Sequence, residues 1–195
     1  MACPEASALG IGAVPALPPP RRATPLTHIA VILLAVTGGA LGIAGAAIAE
    51  IGSGGFLLLI FIGAPVIEEI FKPIGVYLGQ VWFSQALRSR IYVALLCALG
   101  GVIFGLLESW VYVNVYVDDP SAAYAQFRYT VPVALHGAAS FIVGLGLTYA
   151  VVDWVNGRGK LPKSSRNLFV GGVLLHAVYN TSVVVLTVAG VLDDF

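Results

Sequence analysis

The chain has 195 residues, 58% of them apolar and only 10% charged, with a formal net charge of zero and a mean hydropathy of +0.93. A water-soluble domain carries about 25% charged residues, so there is too little polar surface to coat a globule and lipid must be the solvent. The neutral balance argues against nucleic acid as a partner, and two cysteines, Cys3 and Cys97, make no disulfide framework.

Residues 1–27 hold most of the prolines, including Pro18-Pro19-Pro20, and read as a disordered cytoplasmic tail. Residues 28–195 then form one membrane domain. Five stretches, at 29–49, 55–79, 91–117, 130–152 and 168–190, are long and apolar enough to cross a bilayer. The expected fold is all-α, a polytopic bundle of about five transmembrane helices in the cell membrane. Arg21-Arg22 followed by an apolar run ending in Ala47-Ile48-Ala49 also resembles a cleavable signal over residues 1–49. Gly38, Gly42 and Ala46 at four-residue spacing favour a retained packing helix instead.

Basic residues set the orientation. Arg21 and Arg22 precede span one, Arg88 and Arg90 follow span two, and Arg158, Lys160, Lys163 and Arg166 follow span four. The alternate loops hold Arg128 beside the acidic Asp118 and Asp119, and the chain ends in Asp193-Asp194-Phe195. Five spans put every basic cluster on one side, so the N-terminus is expected inside and the C-terminus outside.

A charge at mid-bilayer costs roughly 2.5–3.5 kcal/mol on insertion scales and needs a reason. The predicted spans contain Glu68, Glu69 and Lys72 in the second, Glu108 in the third, His136 in the fourth and His176 in the fifth. Counted from the outer ends, Glu68, Glu108, His136 and His176 fall in one slab roughly 10–20 Å deep. Glu68 and Lys72, four apart, share a helix face. Pro73 lacks an N–H, so the carbonyl of Glu69 loses its helical donor, and Pro65 acts the same way upstream; a kinked or partly unwound second helix is expected there. Such backbone survives in a membrane only when buried in protein or lining a wet cavity. Gly101, Gly105 and Glu108 share a face of span three, as do Gly172, His176 and Asn180 of span five. Taken singly, His136 reads as a packing residue, Glu68–Lys72 as an ion pair and Asn180 as interhelical glue. Taken together they do not, since one Lys cannot neutralise two carboxylates.

The motifs run in order: Glu68-Glu69-Ile70-Phe71-Lys72 as E-E-x-x-K, Phe104 to Glu108 as F-x-x-x-E, His136 on the next span, and His176 to Asn180 as H-x-x-x-N. This series resembles the PrsW family of intramembrane proteases, within the wider group of CAAX prenyl proteases and bacteriocin-processing enzymes, over roughly residues 60–185. The resemblance implies a peptidase that cleaves a membrane protein in or near the bilayer. It also implies that Glu68, Glu69, Glu108, His136 and His176 are the catalytic and metal-binding set. Where the family often has Asn after the third-span Glu, this chain has Ser109.

Peptide hydrolysis needs an activated water, a base and a stabiliser for the oxyanion. Glu68 and Glu69 are the expected base, moderated by Lys72, with Asn180 at the oxyanion. Glu108, His136 and His176, with Glu68 or Glu69 as a further candidate, match the N/O ligands of a catalytic zinc with one open position; a metal-free water held by a Glu–His pair fits the same residues. A single-span membrane protein is the expected substrate. A CAAX-type protease would show E-E-x-x-x-R and F-x-x-x-H instead. A proton- or cation-coupled transporter is the rival from another class, but no inverted repeat relates the two halves.

Overall fold

The computed structural model describes residues 22–53 and 59–190, all helix, turn and loop, with no strand among them. Helix α1 spans Pro25–Ser53. Its start follows from local chemistry: Pro25 supplies a preset φ in the first turn, and Thr24 and Thr27 exchange side-chain-to-backbone bonds, Thr24 N–H to Thr27 Oγ1 at 2.8 Å and Thr27 N–H to Thr24 Oγ1 at 3.3 Å. The helix thus begins inside the stretch expected as tail, whose residues 1–21 lie outside the described residues, as does the C-terminal Asp193-Asp194-Phe195. It runs without a break through Ala47-Ile48-Ala49, and it buries Val31 and Ala35 completely.

The second predicted span is the broken one. A π-helical turn at Leu59–Gly63 leads into α2 (Ala64–Phe71), and α3 (Ile74–Trp82) follows after a turn at Lys72-Pro73. Pro65 occupies the first turn of α2, where a missing N–H costs nothing; Pro73 makes the break. Helix α4 (Arg90–Val111) continues through a π-helical turn at Tyr112–Tyr116. Helix α5 spans Ala122–Gly146, α6 spans Tyr149–Val155 and α7 spans Lys163–Val188. Ser89 caps α4 by accepting from Tyr92 N–H at 3.3 Å, and Ser121 caps α5 by accepting from Tyr124 N–H at 3.0 Å. Four of these helices (α1, α4 with its extension, α5 and α7) are each long and apolar enough to cross a membrane. The interrupted 59–82 stretch supplies the remaining span of the expected five.

Two corrections of boundary follow. The fourth span is expected at 130–152, but α5 starts at Ala122 and ends at Gly146, with 149–155 in a separate helix. Arg128 therefore lies inside a spanning helix, not in a loop.

The bundle is built by small residues. A methyl on Gly38 would stand 2.6 Å from the backbone nitrogen of Gly75, where α1 crosses α3. One on Gly101 would strike the His136 carbonyl and stand 2.7 Å from Ser140 Oγ, where α4 crosses α5. With lipid as solvent, such close backbone approach is the main source of helix association. A core of Val31, Ala35, Val76, Leu87, Val93, Leu96 and Cys97 fills the space between α1, α3 and α4. The outside is apolar too: Leu33, Leu41, Leu95, Leu174 and Val185 are all more than half exposed. Glu68, Glu69, Lys72, Arg128, His136 and His176 are buried instead, the inverse of a protein in water.

The basic segments gather at one end. Tyr149 donates to the carbonyls of Ser84 (2.7 Å) and Leu87 (3.3 Å), Gln80 Nε2 donates to Leu147 O (3.0 Å), and His28 Nδ1 lies 3.3 Å from the Tyr92 hydroxyl. Gly146 packs against Ser165 near the start of α7. Trp82 and Trp154 are exposed at this end and Trp110 towards the other, the pattern of aromatic side chains at two membrane–water boundaries.

Candidate active site

Four segments deliver polar side chains to one buried cluster. Helix α2 and the turn after it bring Glu68, Glu69 and Lys72; α4 brings Phe104 and Glu108; α5 brings Arg128, His136 and Ser140; α7 brings His176. Glu69, Lys72 and Ser140 have no exposed surface, and His136 and His176 are all but fully enclosed. The break at Lys72-Pro73 turns Lys72 back onto the preceding carboxylates. Its Nζ lies 2.8 Å from Glu69 Oε1 and 3.1 Å from Glu68 Oε2, and 4.2 Å from the centre of the Phe104 ring.

The hydrogen bonds separate the two adjacent glutamates. Glu69 Oε1 accepts from Lys72 Nζ (2.8 Å) and pairs with His176 Nδ1 (3.2 Å), while its Oε2 accepts from Ser140 Oγ (3.2 Å). Glu68 Oε2 is buried and accepts no aligned hydrogen bond, although the Lys72 ammonium is within ion-pair distance. That oxygen faces both imidazoles, His176 Nε2 at 3.7 Å and His136 Nδ1 at 4.0 Å. The two rings meet edge to face, with centres 4.7 Å apart.

His136 is fixed on both sides. Lys72 can only donate, so its 2.8 Å contact makes His136 Nδ1 an acceptor. The ring proton is then on Nε2, which donates to Glu108 Oε2 at 3.0 Å. Arg128 Nη2 donates to the same oxygen at 3.2 Å, and its guanidinium stacks 3.8 Å over Tyr112. Three carboxylates thus meet two permanent cations, and with both imidazoles neutral the cluster carries one excess negative charge. Glu108 is the open member, its side chain 23% exposed.

The sequence matches the PrsW family intramembrane metalloprotease over residues 20–192. The chain belongs to that family. No curated protein and no solved structure matches it. As a PrsW protein it is a membrane-embedded hydrolase that acts on membrane substrates, and the E-E-x-x-K, F-x-x-x-E and H-x-x-x-N residues are the ones the fold draws towards its centre, Asn180 excepted.

A metalloprotease needs a place for an ion, and the donor set supports one. Glu68, His136 and His176 each offer one ligand atom, all within 4.8 Å of one another. Donors around tetrahedral zinc stand about 3.3 Å apart, so the observed separations need a modest contraction, and Glu68 Oε2, which accepts no aligned hydrogen bond, is the atom left for it. The Lys72 ammonium is the group that has to yield, since it contacts Glu68 and His136 at the same place. Glu108, expected among the ligands, stands against the opposite nitrogen of His136, held by Arg128.

Asn180 is half-buried, one turn beyond His176 on α7, and no hydrogen bond joins its side chain to Glu68, Glu69, His136 or His176. One position before it, the Tyr179 hydroxyl is buried without a partner and lies within electrostatic reach of Arg128 and Glu108. Sequence reasoning missed Arg128 and Ser140. Ser140 was detectable, because it lies four residues after His136 on the same helix face. Arg128 stood out only as the one basic residue on the acidic side. Ser109 donates its hydroxyl to the Arg128 carbonyl, so it ties α4 to α5 beside Glu108.

Proposed function

We propose that this PrsW protein is an endopeptidase that cuts a single-span membrane protein in or near the bilayer, using a water held between Glu68, His136 and His176. The observation that carries this reading is Glu68 Oε2, a buried carboxylate oxygen with no aligned donor that faces two imidazoles from different helices. Zinc bound by these three side chains would polarise the scissile carbonyl and acidify the water.

The chain's own residues do the rest. Glu69 accepts a hydrogen bond from Nδ1–H of His176 and so presents Nε2 towards Glu68. Glu108, braced by Arg128, does the same for His136 from its Nε2 side. Where no ion is bound, Glu68 accepts the proton as the water oxygen bonds to the carbonyl carbon, and returns it to the amine nitrogen as the C–N bond breaks. Asn180 donates to the oxyanion, with the Tyr179 hydroxyl as a second donor on the same stretch of α7. The part-exposed Glu108 marks the side from which a substrate backbone reaches the cluster. The basic end of the bundle faces the cytoplasm on this reading, with both α1's start and the 83–89 turn inside.

The test is to incubate the purified protein with single-span membrane proteins in detergent and read products by mass spectrometry, with Glu68→Gln as control. Elemental analysis of protein purified without chelator should give about one zinc per chain. Full cleavage by a preparation with no bound metal would leave the Glu–His water mechanism and remove the ion.

A further inference from the structure

Helices α3, α4 and α6, with the turn before α4 and the link after α5, meet at the basic end of the bundle around a cleft that the protease cluster does not use. Its volume is about 80 Å³, and Gln80, Leu87, Arg88, Arg90, Leu147 and Tyr149 wall it. A single water needs roughly 10–15 Å³ of such space, so a group of several heavy atoms fits.

The walls specify the chemistry of that group. Arg88 and Arg90 are exposed and have no ion-pair partner among the described residues, and no carboxylate lines the cleft. Arg90 Nε donates to the Leu145 carbonyl, which ties the guanidinium to the end of α5. Opposite charge is wanted, then, and it is wanted by two guanidinium groups suited to a phosphate. Gln80 adds an independent requirement. It is 3% exposed, its Nε2 donates to Leu147 O at 3.0 Å, and its Oε1 accepts no hydrogen bond. A buried acceptor left unpaired is costly, so the ligand should bring a donor as well as a charge.

Position decides the source. The cleft lies where membrane-crossing helices end, at the depth of lipid headgroups. Ile91, next to Arg90, and Trp82, two residues after Gln80, are both more than half exposed and offer apolar surface to acyl chains. Basic pockets between transmembrane helices are where anionic headgroups settle. We propose that this cleft holds the headgroup of an anionic, hydroxyl-bearing phospholipid, with its phosphodiester against Arg88 and Arg90 and a hydroxyl donating to Gln80 Oε1.

Native mass spectrometry of the full chain in detergent tests this with dioleoyl-phosphatidylglycerol against dioleoyl-phosphatidylcholine. One phosphatidylglycerol should be retained per chain in preference to phosphatidylcholine. Arg88→Gln and Arg90→Gln should each weaken that retention about fivefold, and the pair by more. Arg88 makes no hydrogen bond within the described residues, so Arg88→Gln alone decides the matter if the Arg90 variant proves unstable. Excess inorganic phosphate should leave the lipid bound. Equal retention of the two lipids, retention unchanged in Arg88→Gln, or displacement by inorganic phosphate would each overturn the proposal.

Discussion

Glu68 and Glu69 are neighbours in sequence with opposite hydrogen-bonding circumstances, and that difference separates their expected phenotypes. Glu69 has both oxygens engaged, by Lys72, His176 and Ser140, so the proposed function gives it the orienting role. Glu68 Oε2 has none. Glu68→Gln should therefore lower cleavage by about 10²–10⁴-fold, the usual worth of a general base, and lower zinc content with it. Glu69→Gln should cost about 10–100-fold in zinc affinity or rate, as loss of a group that orients a metal ligand does. Initial rates and zinc content of the two folded proteins check this, and a reversed order would exchange the roles. Lys72 makes a different point. It is wholly enclosed and is, among the described residues, the only Lys or Arg in contact with the carboxylate pair. Lys72→Met should cost about 3–5 kcal/mol by leaving buried charge uncompensated, read as a lowered unfolding midpoint in detergent. Added zinc should recover part of that loss, because the ion's place overlaps that of the ammonium.

The elements show why some of this was legible in sequence and some was not. The interruption of the second span could be read from Pro73, because a missing N–H is a local fact that tertiary packing cannot restore. The convergence of Glu68, His136 and His176 could be read because each is too costly in lipid to be incidental. The start of α5 could not. Gln126 and Arg128 make its first turns look like loop, and only the Glu108 carboxylate on another helix makes Arg128 acceptable inside. The positions of Glu68 beside both imidazoles and of Glu108 at the far nitrogen of His136 were equally out of reach, since the two differ in their partners and not in their predicted depth. The crossing of α4 and α5 carries its own test. Gly101→Val puts a branched side chain where the His136 carbonyl and Ser140 Oγ already stand, and forces α5 outward. A stability loss of about 1–3 kcal/mol is expected from overpacking, with a larger fractional loss of cleavage because His136 and Ser140 ride on α5. A variant as stable and as active as the parent would mean that this crossing does not set the site.

At the scale of the whole molecule, the distribution of charge and the helix packing lead to one arrangement from separate premises. The sequence argument counts basic residues, eight of ten of which fall before span one, after span two or after span four. The structural argument uses no charge at all. The Tyr149 hydroxyl reaches Ser84 and Leu87, Gly146 touches Ser165, and His28 meets Tyr92, so the start of α1, the 83–89 turn, the end of α5 and the start of α7 share one end. Asp118 and Asp119, between α4 and α5, are then at the other. This fixes which segments lie together, and the proposal that their side is cytoplasmic rests on the basic excess. Cysteine labelling decides it. Cys97 is fully buried and silent, so on a Cys3→Ser background Ala123→Cys and Ser164→Cys each introduce one exposed thiol. In intact cells a membrane-impermeant maleimide should modify position 123 and spare 164, and permeabilisation should open 164. The inverse pattern would keep the fold and reverse its orientation, placing the lipid cleft in the outer leaflet. Equal labelling of both positions in intact cells would put the two loops on the same side and remove the five-span arrangement on which the common depth of the cluster depends.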